Sequence, residues 1–160
     1  MTSYIKKYSE LTSDEILQIE NLIKIGGEID PKFLSDRLSK TEHISFFKLN
    51  DEVISTASIK VPTEDYRKDV FAKSKSNKKS DDFSLELGYV STAEKFQRQR
   101  LASKLCDELC KLYSQNKIFS TTRIDNESMK SILSKNNFEE EGMKFLNKKK
   151  SNFLKLYIKN

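Results

Sequence analysis

The sequence predicts an α+β (mixed α/β) fold, and three observations carry the prediction. Short β-rich runs alternate with amphipathic helical stretches in the order β-α-α-β-β-β-α-β-α-β-β. Two of those runs, "HISFFKLN" and "EVISTASIKV", flank Asn50 and Asp51, a hairpin turn signal. The run "FSLELGYV" leads through a short cationic loop into a strongly amphipathic stretch.

The elements follow in order. "SYIKKYSEL" has strand composition. Thr12 followed by Glu15 is a capping box, and Ile16, Ile19, Leu22 and Ile23 form the apolar stripe of the helix it opens. Gly26 and Gly27 end that helix. Pro31 suits the first turn of a second helix that carries Phe33, Leu34, Arg37 and Leu38 to about Lys40. After the hairpin comes a long polar connection, Pro62 to Asp82, which includes "EDYRKDVFAKSK" with a helical turn or more. A connection of that length is expected to be a lid or disordered. The helix after "FSLELGYV" sets Leu101, Leu105, Leu109 and Leu112 on one stripe, with Cys106 and Cys110 beside them. "KIFSTTRI" is a strand, and Asp125 or Asn126 caps a short helix with Met129, Ile132 and Leu133 on its stripe. "FEEEGMKFL" and "NFLKLYIK" are the last two strands.

The chain has 160 residues, a length that suits one domain over 1–160, with the lysine-rich connection at about 62–82 as its distinctive feature. Hydrophobic content is 36%, low for a globular chain, but the apolar residues fall in periodic segments that can build a core. No apolar run is long enough to span a bilayer, and the N-terminus lacks a signal peptide's pattern, so a cytoplasmic protein without a membrane partner is expected. The two cysteines share one helix face, and no metal site is expected from them, since His43 is the sole histidine. His43 begins a strand beside Glu42 and reads as an edge position. Net charge is +5, concentrated in "KSKSNKK" and in "KKK" at Lys148 to Lys150. These runs leave nucleic acid open as a partner without indicating it, because lysines without interleaved aromatics carry little specificity.

The loop Gln97-Arg98-Gln99-Arg100-Leu101-Ala102 stands where a strand turns into a helix, a junction whose outward N–H groups attract anions. With the element order, it resembles the GNAT superfamily of N-acetyltransferases over nearly the whole chain, most strongly from Glu86 to Phe145. In that family a Q/R-x-x-G-x-G/A loop holds the CoA pyrophosphate. Gln97 matches its first position and Ala102 its last, while Arg100 stands where glycine is usual. A helical φ there is open to any residue. A second match, "RIDNESMKSILSKNNF", supplies Asn126, Lys135 and Phe138 of the family's Asn and K-x-G-F elements, with Asn137 at the glycine position.

The resemblance implies a central, mostly antiparallel sheet flanked by about four helices, and transfer of an acetyl group from acetyl-CoA, as co-substrate, to a primary amine. It implies cofactor contacts from the backbone of Val90, Ser91 and Thr92, from Gln97 to Ala102, and from Asn126. It places Glu28, in the loop between the first two helices, at the wall of the acceptor site, and Arg123 at the end of a strand beside the substrate cleft or solvent. Glu86, between Leu85 and Leu87 but on the opposite strand face, is the candidate base, since amine attack requires a proton acceptor. The family's usual tyrosine acid corresponds to Leu133, so Tyr66, on the long connection, is the candidate acid. A CoA thiol with a pKa of about 8.5 can also leave without one. Tyr89 shares the face of Leu85 and Leu87 and reads as core. A catalytically inactive GNAT scaffold that binds an acidic protein or nucleic acid is the alternative. Either would be a monomer or a homodimer.

Overall fold

Seven strands form one hydrogen-bonded sheet in the order β1-β2-β3-β4-β5-β7-β6, in a computed structural model that describes residues 1–27 and 29–160. The strands are β1 (Thr2–Lys6), β2 (His43–Leu49), β3 (Glu52–Lys60), β4 (Leu85–Thr92), β5 (Ile118–Arg123), β6 (Glu139–Leu146) and β7 (Phe153–Lys159). Among the described residues, five α-helices accompany them: α1 (Ser13–Ile25), α2 (Leu34–Leu38), α3 (Glu64–Lys73), α4 (Leu101–Leu112) and α5 (Glu127–Lys135). All strand pairs with a described register are antiparallel except β4 with β5. The chain divides into two compact units.

The first unit comprises Met1–Lys60 and Leu87–Ser114. Its hairpin turns at Asn50 (φ 48°) and Asp51 (φ 66°), two consecutive left-handed residues whose twist matches that of the strands they join. α1 starts with its capping box formed: Thr12 Oγ1 accepts the Glu15 N–H at 3.1 Å and Glu15 Oε2 accepts the Thr12 N–H at 3.0 Å. Ile19, Leu22 and Ile23 of α1 pack with Leu34 and Leu38 of α2, Phe46 of β2, Val53 of β3 and Tyr89 of β4. The second helix begins later than Pro31 suggests. Phe33 is left-handed at φ 62°, so the chain reverses there and only Leu34 to Leu38 are helical. Leu112 is exposed while Leu101, Leu105 and Leu109 are buried, because the α4 stripe runs out of core at its last turn. His43 lies at the end of β2, an inner strand, rather than on an edge. Its Nδ1 lies 2.5 Å from the Tyr113 hydroxyl.

The second unit comprises Val61–Glu86 and Gln115–Asn160. Most of the long polar connection is neither lid nor disordered. It is the ten-residue helix α3 followed by a short 3-10 turn, Ser80–Asp82. Thr63 caps α3 through its side chain, and Glu64 and Asp65 sit in its first turn. Val70 and Phe71 of α3 are buried with Phe83, Phe119, Phe145, Leu156 and Ile158, and the Phe71 ring meets Phe83 and Phe119. Two apolar residues and Tyr66 make too short a stripe to stand out in the sequence. Asn137 is left-handed at φ 65°, the role the sequence assigns it, and Phe138 behind it is buried. Among the described residues, no helix is long and apolar enough to cross a membrane, and no cluster of three or more His, Cys, Asp or Glu could hold a metal ion.

Glu15 joins three elements of the first unit. Both its oxygens lie 3.1 Å from Lys6 Nζ of β1, and Lys48 Nζ of β2 lies 3.4 Å away. Burial opposes its charge, but the Thr12 amide and the two lysines outweigh burial and hold its pKa below the ordinary carboxylate value. The stabilisation is therefore complete above the ordinary pKa and is lost as pH falls through the lowered one. Glu15→Ala should lose about 2 kcal/mol of stability at neutral pH. In urea unfolding series, the gap from the parent protein should narrow below about pH 4.

Candidate active site

β4 hands over to α4 within the first unit, and local hydrogen bonds fix the approach. Ser91 Oγ donates to the Leu22 carbonyl of α1 at 2.8 Å. Ser55 Oγ of β3 lies 2.8 Å from Thr92 Oγ1 and donates to the Ser91 carbonyl at 3.3 Å. The Ala93 N–H donates to the Ile54 carbonyl at 2.9 Å, and Gln97 Nε2 to the Thr92 carbonyl at 3.3 Å. Val90, Ser91 and Thr92 remain half-buried, at the surface of the strand end.

The loop beyond departs from the expected helical φ at Arg100. Arg98 (φ 62°) and Arg100 (φ 60°) are both left-handed. Each left-handed L-residue costs roughly 1–2 kcal/mol, which is why glycine is common in such places. The backbone conformation that glycine would supply is thus present with an arginine side chain added. Arg100 is the N-cap of α4, and the first intrahelical bond runs from the Lys104 N–H to the Arg100 carbonyl at 3.1 Å. The preceding N–H groups, of Leu101, Ala102 and Ser103, have no acceptor within the helix.

Of the four helices with nine residues or more, α1, α3 and α5 are capped by Thr12, Thr63 and Asn126, whereas α4 has no side-chain cap. It also has no acidic residue in its first turn. Gln97, Arg98, Gln99 and Arg100 are exposed. Uncapped N–H groups, a helix dipole and two guanidiniums fit a phosphate-bearing ligand such as the CoA pyrophosphate.

β4 itself contains one left-handed residue. Tyr89 has φ 52°, rare for a bulky residue inside a strand. Its ring is buried in the first unit's core, the packing role the sequence suggests, and Lys60 Nζ lies 4.4 Å from the ring centroid. Gly88 makes room for the lysine stem: a Cβ there would lie 2.7 Å from Lys60 Cδ.

In the second unit, the two candidate catalytic residues meet. Glu86 is 2% exposed, and the Tyr66 hydroxyl donates to its Oε2 at 2.8 Å. Tyr66 reaches Glu86 from the third residue of α3, so it is placed by a packed helix and not by a lid. No local pattern links residues twenty apart, but Thr63 followed by two acids marks the helix start that positions Tyr66.

The remaining sequence candidates stand separately. Asn126 Oδ1 caps α5 by accepting the Met129 N–H at 3.0 Å. Arg123 Nε lies 3.6 Å from Asp125 Oδ1. Leu133, at the family's tyrosine position, is fully buried. Glu28 lies outside the described residues. Cys106 and Cys110 are buried on the core side of α4, and burial pushes the Cys106 thiol far up, which leaves it unreactive.

No protein-family model matches this sequence, and no curated protein matches it. Solved structures do. An N-acetyltransferase from Staphylococcus aureus has a TM-score of 0.70 at 13% identity, over 100% of this chain and 99% of that one. A GNAT-family acetyltransferase from Streptococcus agalactiae has a TM-score of 0.68 at 16% identity, over 99% and 96%. An acyl-CoA N-acyltransferase from Pseudomonas aeruginosa has a TM-score of 0.66 at 9% identity, over 99% of both chains. The fold is that of the GNAT superfamily.

If Arg100 is held left-handed against its preference, Arg100→Gly should raise the unfolding free energy by about 1 kcal/mol. An unchanged or lowered urea midpoint would contradict the strained loop.

Proposed function

We propose that this protein is an acetyl-CoA-dependent N-acetyltransferase acting on a primary amine. The observation that carries this reading is the uncapped start of α4 behind two left-handed arginines. The fold it shares with the acetyltransferases above supports it as an analogy.

In this reading the N–H groups of Leu101, Ala102 and Ser103, with Arg98 and Arg100, hold the pyrophosphate, while Gln97 braces the loop on the Thr92 carbonyl. The strand backbone at Val90, Ser91 and Thr92 and the Asn126 side chain meet the pantetheine arm. When bound, acetyl-CoA supplies an activated acetyl thioester. Arg123, and Glu28 from its loop, contribute to acceptor binding.

Glu86 takes a proton from the acceptor ammonium, directly or through water, so that the nitrogen lone pair is available. Tyr66 directs its proton at Glu86 Oε2, which fixes the carboxylate's orientation. In this reading Tyr66 acts as a positioning residue, where the sequence suggests an acid. Burial of Glu86 limits bulk solvent at the carboxylate.

Calorimetric titration should show acetyl-CoA binding in the micromolar range, abolished in Arg100→Glu. In an amine-acetylation assay, Glu86→Gln should lower kcat by about a hundredfold with acetyl-CoA binding intact. Tyr66→Phe should lower kcat by about tenfold, again without effect on acetyl-CoA affinity. Absence of acetyl-CoA binding in the parent protein would defeat the proposal.

A further inference from the structure

The chain's net charge is divided unevenly. The first unit contains thirteen Lys and Arg and thirteen Asp and Glu. The second contains sixteen Lys and Arg against eleven Asp and Glu, so the whole excess of +5 lies there. Much of the second unit's positive charge is neutralised locally. Lys68, Lys73 and Lys130 pair with acids on their own helices, and Lys155 pairs with Glu140. The two lysine runs are not neutralised. Lys75, Lys78 and Lys79 are exposed, as are Lys148, Lys149 and Lys150, and none has a carboxylate partner among the described residues.

The fold brings these runs, some seventy residues apart, to one strand. The Met143 N–H of β6 donates to the Ser74 carbonyl at 2.7 Å, and Ser76 Oγ donates to Glu141 Oε1 at 2.9 Å. The docking requires glycine between them. Gly142 is left-handed at φ 68°, and any Cβ there would run into the Ser74 carbonyl oxygen. β6 is the last strand of the sheet. Lys75, Lys78 and Lys79 therefore follow the segment docked at its Glu141–Met143 bulge, and Lys148 to Lys150 lie at its far end.

The far end is an ordered turn. Asn147 accepts the Lys150 N–H through its carbonyl and the Ser151 N–H through its side chain, both at 2.9 Å. Between the two ends, Lys144 Nζ lies 4.6 Å from the ring centroid of Phe153, which pairs in register with Leu146. Phe153 and Leu146 are each 40% exposed. The aromatic that the lysine runs lack in sequence is thus supplied in space.

We propose that the β6 edge of the second unit binds single-stranded RNA without sequence preference, its lysines on the phosphates and Phe153 as a stacking platform. An extended row of unpaired point charges beside an exposed aromatic is how such sites track a backbone. From Gly142 to Asn147 the strand runs about 17 Å, and the two lysine runs carry the row of charge to either end of it. An anionic lipid surface would use the turn at Lys148 to Lys150 with Leu146 and Phe153, and would leave the Lys75 end unused. The spread of charge along the strand favours the polyanion.

The test is fluorescence anisotropy with a labelled oligouridine of about ten nucleotides across a salt series. Binding should weaken with a log–log slope of about −4, as about six phosphate contacts require. Reversal of Lys75, Lys78 and Lys79 to Glu, and separately of Lys148, Lys149 and Lys150 to Glu, should each cut affinity by about tenfold or more and flatten the slope. Phe153→Ala should weaken binding severalfold while the slope stays put. All the substituted lysines are exposed, so melting temperatures should stay near the parent value. The proposal is overturned if oligouridine does not bind at low salt. It is equally overturned if the Lys75-end reversal has no effect, or if phosphatidylserine vesicles bind and oligouridine does not.

Discussion

Two left-handed arginines at the end of β4 are the constraint on which the proposed chemistry depends. They turn the chain so that α4 starts with its N–H groups uncapped, in contrast to the three other long helices, each closed by its own Thr or Asn. A conformation that opposes the residue's own preference persists only where the surroundings impose it. Just before the two arginines, Ser55, Ser91, Thr92 and Gln97 tie the strand end to β3, to α1 and to itself. The gain is a group of N–H donors without an intrahelical acceptor beside two exposed arginines, an arrangement that favours an anion.

The second unit has a different logic. Its extra helix, α3, contributes Val70 and Phe71 to the core, delivers the Tyr66 hydroxyl to Glu86, and leads into the segment that docks on the β6 bulge. A polar segment of about twenty residues thereby serves packing, carboxylate orientation and display of charge. Glu86 belongs to the same strand as Val90 to Thr92.

Much of this was legible in the sequence wherever a local rule governs. The Asn50–Asp51 turn, the Thr12–Glu15 capping box, the Asn126 cap and the left-handed Asn137 all depend on neighbours a few residues away, and the residue types announce the conformation. The mostly antiparallel sheet with its flanking helices was legible through resemblance. What escaped were features without a local signature. Arginine does not advertise a left-handed φ, so Arg100 read as an ordinary helix start. The Tyr66–Glu86 bond spans twenty residues, and the Ser74–Met143 bond spans sixty-nine. α3 read as a helical turn or more within a polar connection, not as a packed ten-residue helix, because its apolar face is only two residues wide, although Thr63, Glu64 and Asp65 marked its start. Leu112 and His43 were misplaced because periodicity and composition say which residues can be covered, not where the core or the sheet edge lies.

The central claim is that the uncapped N-terminus of α4 is the cofactor's anchor. The most direct measurement is a crystal structure of the protein with acetyl-CoA bound. The account predicts the pyrophosphate oxygens within hydrogen-bond distance of the Leu101, Ala102 and Ser103 N–H groups, with Arg98 and Arg100 still left-handed. Acetyl-CoA bound elsewhere, with those N–H groups facing only solvent, would contradict it.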